Sequence, residues 1–584
     1  LIVTGVQTCA LPIYLQLDAA DIQEKIEKYH LSDPLLEMAL EVYLEYQRGL
    51  RYRGAVDFSD LIRLAYRVLS SDIEFLERLR YRWPYILEDE AQDSSQVQEK
   101  ILRQLVGPEG NWVRVGDTNQ AIYETFTTAS PKFLRDFLHE SNVIAKDLAN
   151  SGRSNKSIIR LANTLNKWTQ TAHPVEQLRT SFTLPYIIPA PVGDPQPNPP
   201  DSPQSVFILK SPVSSDEEIR KVVDSIKNWL PEHQDKTVAV LCPIGFHAEK
   251  VAEALQAAGV EIVEMLKSTQ STRRVTRILE KVLLSLVDPS SVNKFSTVYQ
   301  MITRDDPELE LNRSFVTDLL GQLKKIRQLE ELLYAKNSDW KNILEITNMP
   351  DAVENHFTRF LLNMVRWQKA TTLPIDQLLL TIGRDLFITP QDLALAHKLA
   401  LLLEFSARNH PEYQLPQFAQ ELTEISTNQR KFAGFSEDDT GFNPEAHKGK
   451  VLVSTFHKAK GLEWDRVYLL SVNNYDFPSA LEFDQYKGEK WFVSHQLNLE
   501  AELLAKLKAL AEEDIPGMFM ESGIATREAR IEYSAERLRL LYVGITRARE
   551  NLIITWNTGK RKDARMALPL EALAAFLEEP NAVA

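Results

Sequence analysis

The chain has 584 residues, of which 44% are hydrophobic and 25% are charged, and its formal net charge is −14. This composition is typical of a globular protein with about four domains. The negative charge argues against a histone-like or tail-driven nucleic-acid binder, although a local basic groove remains compatible with it. Two cysteines exclude a disulfide scaffold in practice, and no apolar run is long enough for a membrane helix. We therefore expect a cytoplasmic protein with no membrane partner.

The first thirteen residues differ in character from the rest of the chain. They read LIVTGVQTCALPI, which is apolar enough for a signal peptide but has no basic start. Residues 3–13 match the translation of a common sequencing-adapter oligonucleotide. We therefore predict that residues 1–13 are a non-native assembly scar, with a genuine strand as the alternative.

The next part of the chain predicts alternating helices and strands. Apolar residues recur at helical spacing through residues 14–80. Short strand-like runs follow at Tyr85–Leu87, Trp112–Val115 and Val143–Ala145, with helical sequence between the first two. Seven prolines between residues 189 and 203 predict a linker or a long surface loop at 187–204. This alternation indicates an α/β sheet.

The second half contains a long helical block between strand-like runs. Val206–Leu209 and Val238–Leu241 come before it, and leucine-rich helical periodicity dominates residues 266–445. Three further strand-like runs follow, at Val451–Phe456, Arg466–Val472 and Leu552–Trp556. The simplest account is a helical domain inserted between strands of one sheet.

An acidic cluster follows the first strand-like run, in the sequence DEAQD at residues 89–93. Asp89 is placed to bind magnesium through water in a nucleotide-hydrolysing site, and Glu90 is placed to act as general base. Acidic strand ends are common, so this cluster alone is weak support for catalysis.

The second strand-like run ends in a glycine turn with the sequence VGDTNQAIY. Gln120 can contact a γ-phosphate there, and the aromatic residues Tyr123 and Phe126 can stack on bases. The alternative is a pair of ordinary core aromatics.

Two later segments complete the set of candidate motifs. The sequence STFHKAKGLEW follows the strand-like run at Val451–Phe456, at the strand edge where open α/β folds bind ligands. Residues 536–549 predict an amphipathic helix, with Arg547 off the apolar stripe and free to face a cleft. An ordinary turn and a surface salt-bridge helix are the alternatives.

In this order the four motifs resemble those of the UvrD/Rep-type superfamily 1 DNA helicases, whose motor is two RecA-like domains with ATP between them. The resemblance implies an α/β fold with two RecA-like parallel-sheet motor domains, the first incomplete, and a mainly helical inserted domain. The implied ranges are 14–147 for the first motor domain, 148–265 and 446–584 for the second, and 266–445 for the insertion.

The resemblance also implies ATP and Mg2+ as cofactors, single-stranded and duplex DNA as partners, and 3'-5' movement. Asp89 and Glu90 would serve the metal ion and the attacking water, and Gln120 would contact the γ-phosphate. The remaining implied roles are arginine fingers at Arg153 and Arg547, a ribose contact at Glu463, and a DNA path along Tyr123, Phe126, Thr455 and His457.

The chain departs from the family pattern in one important respect. No phosphate-binding loop of the form G-x-x-x-x-G-K-[ST] occurs in the sequence. We therefore expect an N-terminally truncated chain that does not hydrolyse ATP as given. The alternative is a non-catalytic DNA-binding or scaffolding relative, although the presence of Asp89, Glu90, Arg153 and Arg547 together argues against it. The alignment at Phe126 and at Ser151-Gly152, before Arg153, also departs from the usual pattern.

Overall fold

The structure is a computed structural model that describes residues 17–52, 54–108, 110–122, 131–265, 270–304, 306–335, 339–346, 348–427, 442–482, 484, 486, 497–559 and 563–578. It divides into two compact units. The first unit comprises Leu1–Pro243 with Phe456–Ala584, and the second comprises Ile244–Thr455.

Four helices open the first unit, as the apolar periodicity predicts. They are α1 (Ala19–Lys28), α2 (Pro34–Tyr52), α3 (Phe58–Ser71) and α4 (Ile73–Arg82). Aspartates begin three of them, because a carboxylate oxygen accepts hydrogen bonds from backbone N–H groups that have no partner in the first turn. Asp18, Asp57 and Asp72 cap α1, α3 and α4 in this way.

A two-stranded parallel sheet follows these helices. Strand β1 (Tyr85–Glu88) pairs with β2 (Asn111–Arg114), and helix α5 (Gln96–Val106) connects them. Both predicted strands are therefore confirmed. Alternate side chains are exposed in both strands, so one face of this sheet is open. Helix α6 (Pro131–Leu138) contributes Phe137, whose ring lies 5.0 Å from that of Trp112 on the other face.

The predicted strand at Val143–Ala145 is wrong. Those residues form no strand, and Ile144 is 86% exposed. Three apolar residues do not by themselves form a strand, because strand pairing requires a hydrogen-bonding neighbour. The pairing begins instead at β3 (Asn150–Ser151), which is parallel to β4 (Ile188–Pro189) within the proline-rich stretch. Helix α7 (Lys156–Ala172) lies between these two strands in the chain.

A larger parallel sheet forms the core of the first unit. Its strand order is β5 (Val206–Ile208), β10 (Ala548–Ile554), β9 (Trp464–Leu469) and β6 (Val238–Cys242). Every residue of β6 is buried. The continuous apolar runs predicted these strands, because parallel strands are covered on both faces. Helix α8 (Ser215–Trp229) connects β5 to β6.

The helix predicted over residues 536–549 is partly wrong. Helix α21 spans Ile524–Ile545, and Ala548 already belongs to β10. The apolar positions at spacings of three and four continue through Leu552, but the backbone beyond the helix pairs with β9. Trp464 N donates to Arg547 O over 3.0 Å, so the backbone at Arg547 is already hydrogen-bonded to the first residue of β9. The remaining helices of this unit are α19 (Leu499–Glu512), α20 (Ile515–Met518) and α22 (Leu568–Phe576).

The second unit is mainly helical. It contains α9 (Gly245–Ala257) and a parallel strand pair, β7 (Ile262–Met265) and β8 (Val451–Thr455). The sequence predicted β8 but missed β7, which is short and only half-buried. Nine helices lie between these strands in the described residues: α10 (Gln270–Val287), α11 (Val292–Arg304), α12 (Arg313–Leu323), α13 (Leu329–Leu333), α14 (Trp340–Ile343), α15 (Asp351–Ala370), α16 (Ile375–Leu386), α17 (Pro390–Asn409) and α18 (Leu415–Ser426).

One contiguous apolar core holds these helices together, with Trp340 and Trp367 among its fully buried side chains. The helical character predicted for this block is confirmed in the residues that can be described. No helix in the described ranges combines the length and apolar composition needed to cross a membrane.

Candidate functional site

The acidic segment after β1 forms a tight turn in the first unit. Glu90 adopts a left-handed backbone with φ of 52° and precedes a short 3-10 turn, Ala91–Asp93. Such a backbone is uncommon for a residue other than glycine and often marks a functional constraint. Asp89 and Glu90 are both exposed, and the Asp89 carboxylate accepts the Glu90 backbone N–H over 2.9 Å. The turn therefore presents two adjacent carboxylates to solvent.

Gln92 connects this acidic turn to the loop after β2. Its amide nitrogen donates to a carboxylate oxygen of Glu90, and its amide oxygen accepts the Asp117 backbone N–H over 3.0 Å. A Cβ at Gly116 would lie too close to the same Gln92 oxygen, so a larger residue there would displace this hydrogen bond. The motif DEAQD contained this glutamine, but the sequence reasoning gave it no role. It is a buried bridge between the first two motifs.

Asp117 and Gln120 extend this connection. The carboxylate of Asp117 caps the turn Thr118–Gln120 by accepting the Asn119 N–H, and its other oxygen accepts the Gln120 amide over 2.9 Å. The Gln120 amide oxygen in turn accepts a hydrogen bond from Arg547 Nη2 over 3.3 Å. A hydrogen-bonded chain therefore runs from Glu90 to Arg547.

Arg547 follows Thr546, the residue that caps the C-terminal end of α21, and is 1% exposed. Its guanidinium also donates to the backbone oxygens of Val543 and Leu462, over 3.0 and 3.1 Å. The sequence predicted a side chain free to face a cleft, but in this structure the guanidinium is buried and held by these partners. Burial lowers the pKa of Arg547 to about 9, with the nearby Arg153 charge acting in the same direction. The group is therefore still a cation at neutral pH.

Glu463 joins two other arginines. One carboxylate oxygen accepts from Arg549 Nη2 over 2.8 Å, and the other forms an ion pair with Arg153. Burial alone would raise the pKa of Glu463, but the hydrogen bond from Arg549 and the charge of Arg153 outweigh it and hold that pKa below its ordinary value. The structure thus brings Arg153 and Glu463 together, two residues predicted to act on the nucleotide.

Lys460 is a residue that the sequence reasoning missed. Its ammonium lies 2.5 Å from Asp93 Oδ2 and 3.2 Å from Glu90 Oε2, and its side chain is almost fully buried. Burial raises the pKa of Asp93, and the contact with Lys460 partly offsets this rise. The two lysines of the motif STFHKAKGLEW were the available signal, since a lysine ammonium readily pairs with anionic groups, but the sequence did not distinguish Lys460 from Lys458.

Arg539, on α21, is a second missed residue. It is buried, and its Nε donates to the backbone oxygen of Ala121 over 2.6 Å, directly after Gln120. A second nitrogen donates to Ser181 O over 3.4 Å. Arg539 lies within the helix whereas Arg547 lies beyond its end, and nothing in the sequence around Arg539 indicated a contact with this loop. Arg539 and Arg547 therefore hold the Gln120 segment from the same helix region.

The predicted DNA-path residues are described only in part. Tyr123 and Phe126 lie outside the described residues. Thr455 is the last residue of β8, in the second unit, and is half-buried. His457 begins a short turn in the first unit, and its Nε2 lies 3.9 Å from Glu536 Oε1.

The cluster combines positive and negative side chains of the kinds that bind a nucleotide with magnesium. Arg153, Arg547 and Lys460 supply the positive charge, and Lys460 lies 3.2 Å from Glu90. Among the described residues, no group of three or more His, Cys, Asp or Glu side chains could hold a metal ion. Magnesium in nucleotide sites usually takes only one or two carboxylates, with phosphate oxygens and water completing its shell. A single exposed carboxylate such as that of Asp89 would meet that lesser requirement.

Comparison with protein families gives two matches. Residues 14–142 match the UvrD/REP helicase N-terminal domain, and residues 394–559 match the UvrD-like helicase C-terminal domain. Together these matches span about half of the chain. They include the acidic turn, the Gln120 loop, Glu463 and Arg547.

Individual relatives are similar to the chain at low identity. A probable DNA helicase II homolog of Mycoplasma pneumoniae is 23% identical over 76% of this chain and 56% of its own length. The exonuclease/helicase subunit RexA of Lactococcus lactis is 24% identical over 95% of this chain and 47% of its own length. The ATP-dependent DNA helicase UvrD1 of Mycobacterium bovis is 34% identical over 23% of this chain. The chain spans about half the length of the first two relatives, and it belongs to the UvrD-like helicase family.

Proposed function

We propose that the protein from which this chain comes is an ATP-dependent DNA helicase or translocase that moves 3'-5' on single-stranded DNA. The observation that carries the proposal is the hydrogen-bonded chain Glu90–Gln92–Asp117–Gln120–Arg547. It joins an acid typical of nucleotide hydrolysis to an arginine typical of phosphate stabilisation. Family membership supports the same reaction.

Each member of the cluster has a role in that reaction. A bound magnesium ion would neutralise charge on the β- and γ-phosphates. Asp89 would hold that ion, and Glu90 would accept a proton from the attacking water. Arg547 and Arg153 would offset the charge that develops on the transferred phosphoryl group. Gln120 would contact the γ-phosphate, so loss of that phosphate on hydrolysis would change the position of the segment that follows Gln120.

Lys460 gives this proposal a more specific form. Its ammonium contacts Glu90, so it competes with any water or metal ion for that carboxylate. We propose that nucleotide binding draws Lys460 away from Glu90 while its stronger contact with Asp93 persists. Glu90 would then be free to act as general base only when the nucleotide phosphates occupy the site, so an incorrectly bound nucleotide would be hydrolysed slowly.

The 584-residue chain itself is expected to be inactive. It contains no G-x-x-x-x-G-K-[ST] loop, so the β- and γ-phosphates have neither the backbone nest nor the lysine that such loops supply. The same absence favours the second candidate function, a DNA-binding or scaffolding relative without catalysis. The source DNA upstream distinguishes the two, since an in-frame G-x-G-K-T supports the motor and a start codon near residue 14 supports the relative.

Phosphate release measured with magnesium and oligo(dT) tests the proposal. We expect no turnover from the chain as given, and we expect DNA-stimulated turnover once an upstream frame with the loop is restored. Arg547→Ala in the restored protein should then reduce the rate by about a thousandfold or more. Arg67→Ala, on the exposed surface of α3, is the matched control and should leave the rate unchanged.

Polarity needs a separate measurement on the restored protein. Displacement of a strand from partial duplexes with 3' or 5' single-stranded tails should occur only with the 3' tail. Displacement from the 5' tail alone would contradict the proposed direction, and turnover by the chain as given would contradict its expected inactivity.

A further inference from the structure

A cavity of about 460 Å³ lies among the first helices of the first unit, and none of its lining residues belongs to the site described above. It is lined by residues of α2 and α3 and by the start of α1. Its volume falls within the range of small-ligand sites and is too large for a single water. Three arginines and two tyrosines are among the lining residues: Arg48, Arg51, Arg63, Tyr43 and Tyr52.

Two donors in this lining have no acceptor among the described residues. The Gln47 amide nitrogen and Arg63 Nε are both buried, and neither makes a hydrogen bond within that part of the chain. A buried donor without a partner destabilises the fold unless a water or ligand oxygen accepts its hydrogen bond. Two such donors in the lining of one cavity therefore call for an oxygen-rich occupant.

The charges of the lining leave one arginine available. Arg48 pairs with Glu45 over 2.5 Å, and Arg63 pairs with Asp60 over 3.0 Å. Asp18 also lines the cavity, but its carboxylate already accepts the Asp21 N–H that caps α1. The exposed Arg51 side chain makes no ion pair or hydrogen bond in the described part of the chain. An unpaired guanidinium of this kind is a good phosphate ligand because it donates in a planar fork.

Tyr52 adds an aromatic surface beside that arginine. It is 91% exposed at the end of α2, where a large aromatic side chain gains nothing from packing. Bases stack on such side chains whatever their identity. From the two acceptor-less donors, the unpaired Arg51 and the exposed tyrosine we infer that this cavity binds a nucleotide phosphate group, with its base against Tyr52. This inference adds a second nucleotide-binding position to the protein and does not depend on ATP hydrolysis.

Photo-crosslinking of the 584-residue chain tests the inference. One arm uses oligo(dT) containing 4-thiothymidine, and the other uses 8-azido-ATP, so that a strand and a free nucleotide are distinguished. Mass spectrometry then maps the crosslinked peptides. A crosslink within residues 34–52 in either arm supports the site and identifies its source, and crosslinks only elsewhere, or none, overturn it.

Variants make the test specific. Arg51→Ala and Gln47→Leu should each reduce the crosslink yield at residues 34–52 by about tenfold. Arg67→Ala removes an exposed arginine from α3 outside the lining and should change the yield less than twofold. Equal loss in all three variants would indicate non-specific attraction and overturn the inference. Arg51 is exposed, so its variant should fold even if Gln47→Leu does not.

Two further measurements separate this inference from its alternatives. A chain that begins at residue 14 should keep the crosslink, and its loss would show that the described lining is not the site. Fluorescence anisotropy of labelled oligo(dT) reports strand binding by the whole chain. Binding without a crosslink at 34–52 overturns the cavity inference alone, whereas a crosslink to 8-azido-ATP without strand binding supports the cavity and contradicts the DNA-binding part of the proposed function.

Discussion

Two of the parallel sheets of the first unit, β1–β2 and the larger sheet, differ in how completely they are covered. In β1 and β2 the side chains alternate between exposed and half-buried, and Leu87 is 77% exposed. In β6 every side chain is buried, and Leu241 is fully buried. Parallel strands are normally covered on both faces, so β1 and β2 have one unusually open face.

The candidate site residues are divided between the open sheet and the well-covered sheet. Asp89, Glu90 and Gln120 follow the less covered strands, whereas Glu463 and Arg547 adjoin strands of the larger sheet. The larger sheet can hold its charged groups in fixed positions because its own core is well packed. Substitutions on the exposed face of β1 and β2 should therefore have little effect on the stability of the unit.

The largest contrast is expected from apolar truncations in the two sheets. Leu241→Ala should lower the free energy of unfolding by about 2–5 kcal/mol, because it leaves a cavity in a close-packed core. Leu87→Ala should lower it by less than about 0.5 kcal/mol, since most of that side chain is already in water. Urea titration followed by circular dichroism measures both. Equal losses would show that the open face of β1 is covered in solution.

The second largest contrast in unfolding free energy is expected between substitutions of the two proposed arginine fingers, Arg547 and Arg153. Arg547→Met removes a buried guanidinium that donates hydrogen bonds to four residues, Val543, Leu462, Gln120 and Thr546, and should cost about 1–3 kcal/mol of unfolding free energy. Arg153→Met should cost less than about 1 kcal/mol, because Arg153 is one-third exposed and Arg549 still holds Glu463. The same urea titration compares them. A larger loss for Arg153→Met would contradict the geometry of the cluster.

A smaller effect is expected in how the free energy of unfolding depends on pH. The folded state holds the pKa of Glu463 below its ordinary value of 4.5, so it binds fewer protons there than the unfolded state. Its contribution to stability is therefore complete above that value and is lost as pH falls through the folded-state pKa. The Glu463→Gln variant should have a lower free energy of unfolding than the wild type at pH 7. This difference should become smaller as the pH falls from 7 to 3. Glu41→Gln, an exposed control on α2, should not change the profile.

The sequence predicted much of the fold but little of the contact network. Continuous apolar runs identified β1, β2, β5, β6, β8 and β9, because a buried strand usually has an apolar local sequence. It failed at Val143–Ala145 and after Ile545, where pairing with distant strands decides the structure. Gln92, Lys460 and Arg539 were missed for the same reason, since each acts on residues brought near only by folding. The roles of the site residues remain predictions.

The central claim is that the acidic turn and the motif around Lys460 form one cluster. A double-mutant cycle with Lys460→Met and Asp93→Asn measures this directly as a coupling in the free energy of unfolding. The 2.5 Å contact between largely buried groups predicts a coupling of about 1–3 kcal/mol. Additive effects of the two substitutions, with no measurable coupling, would show that these segments do not meet and would contradict the account.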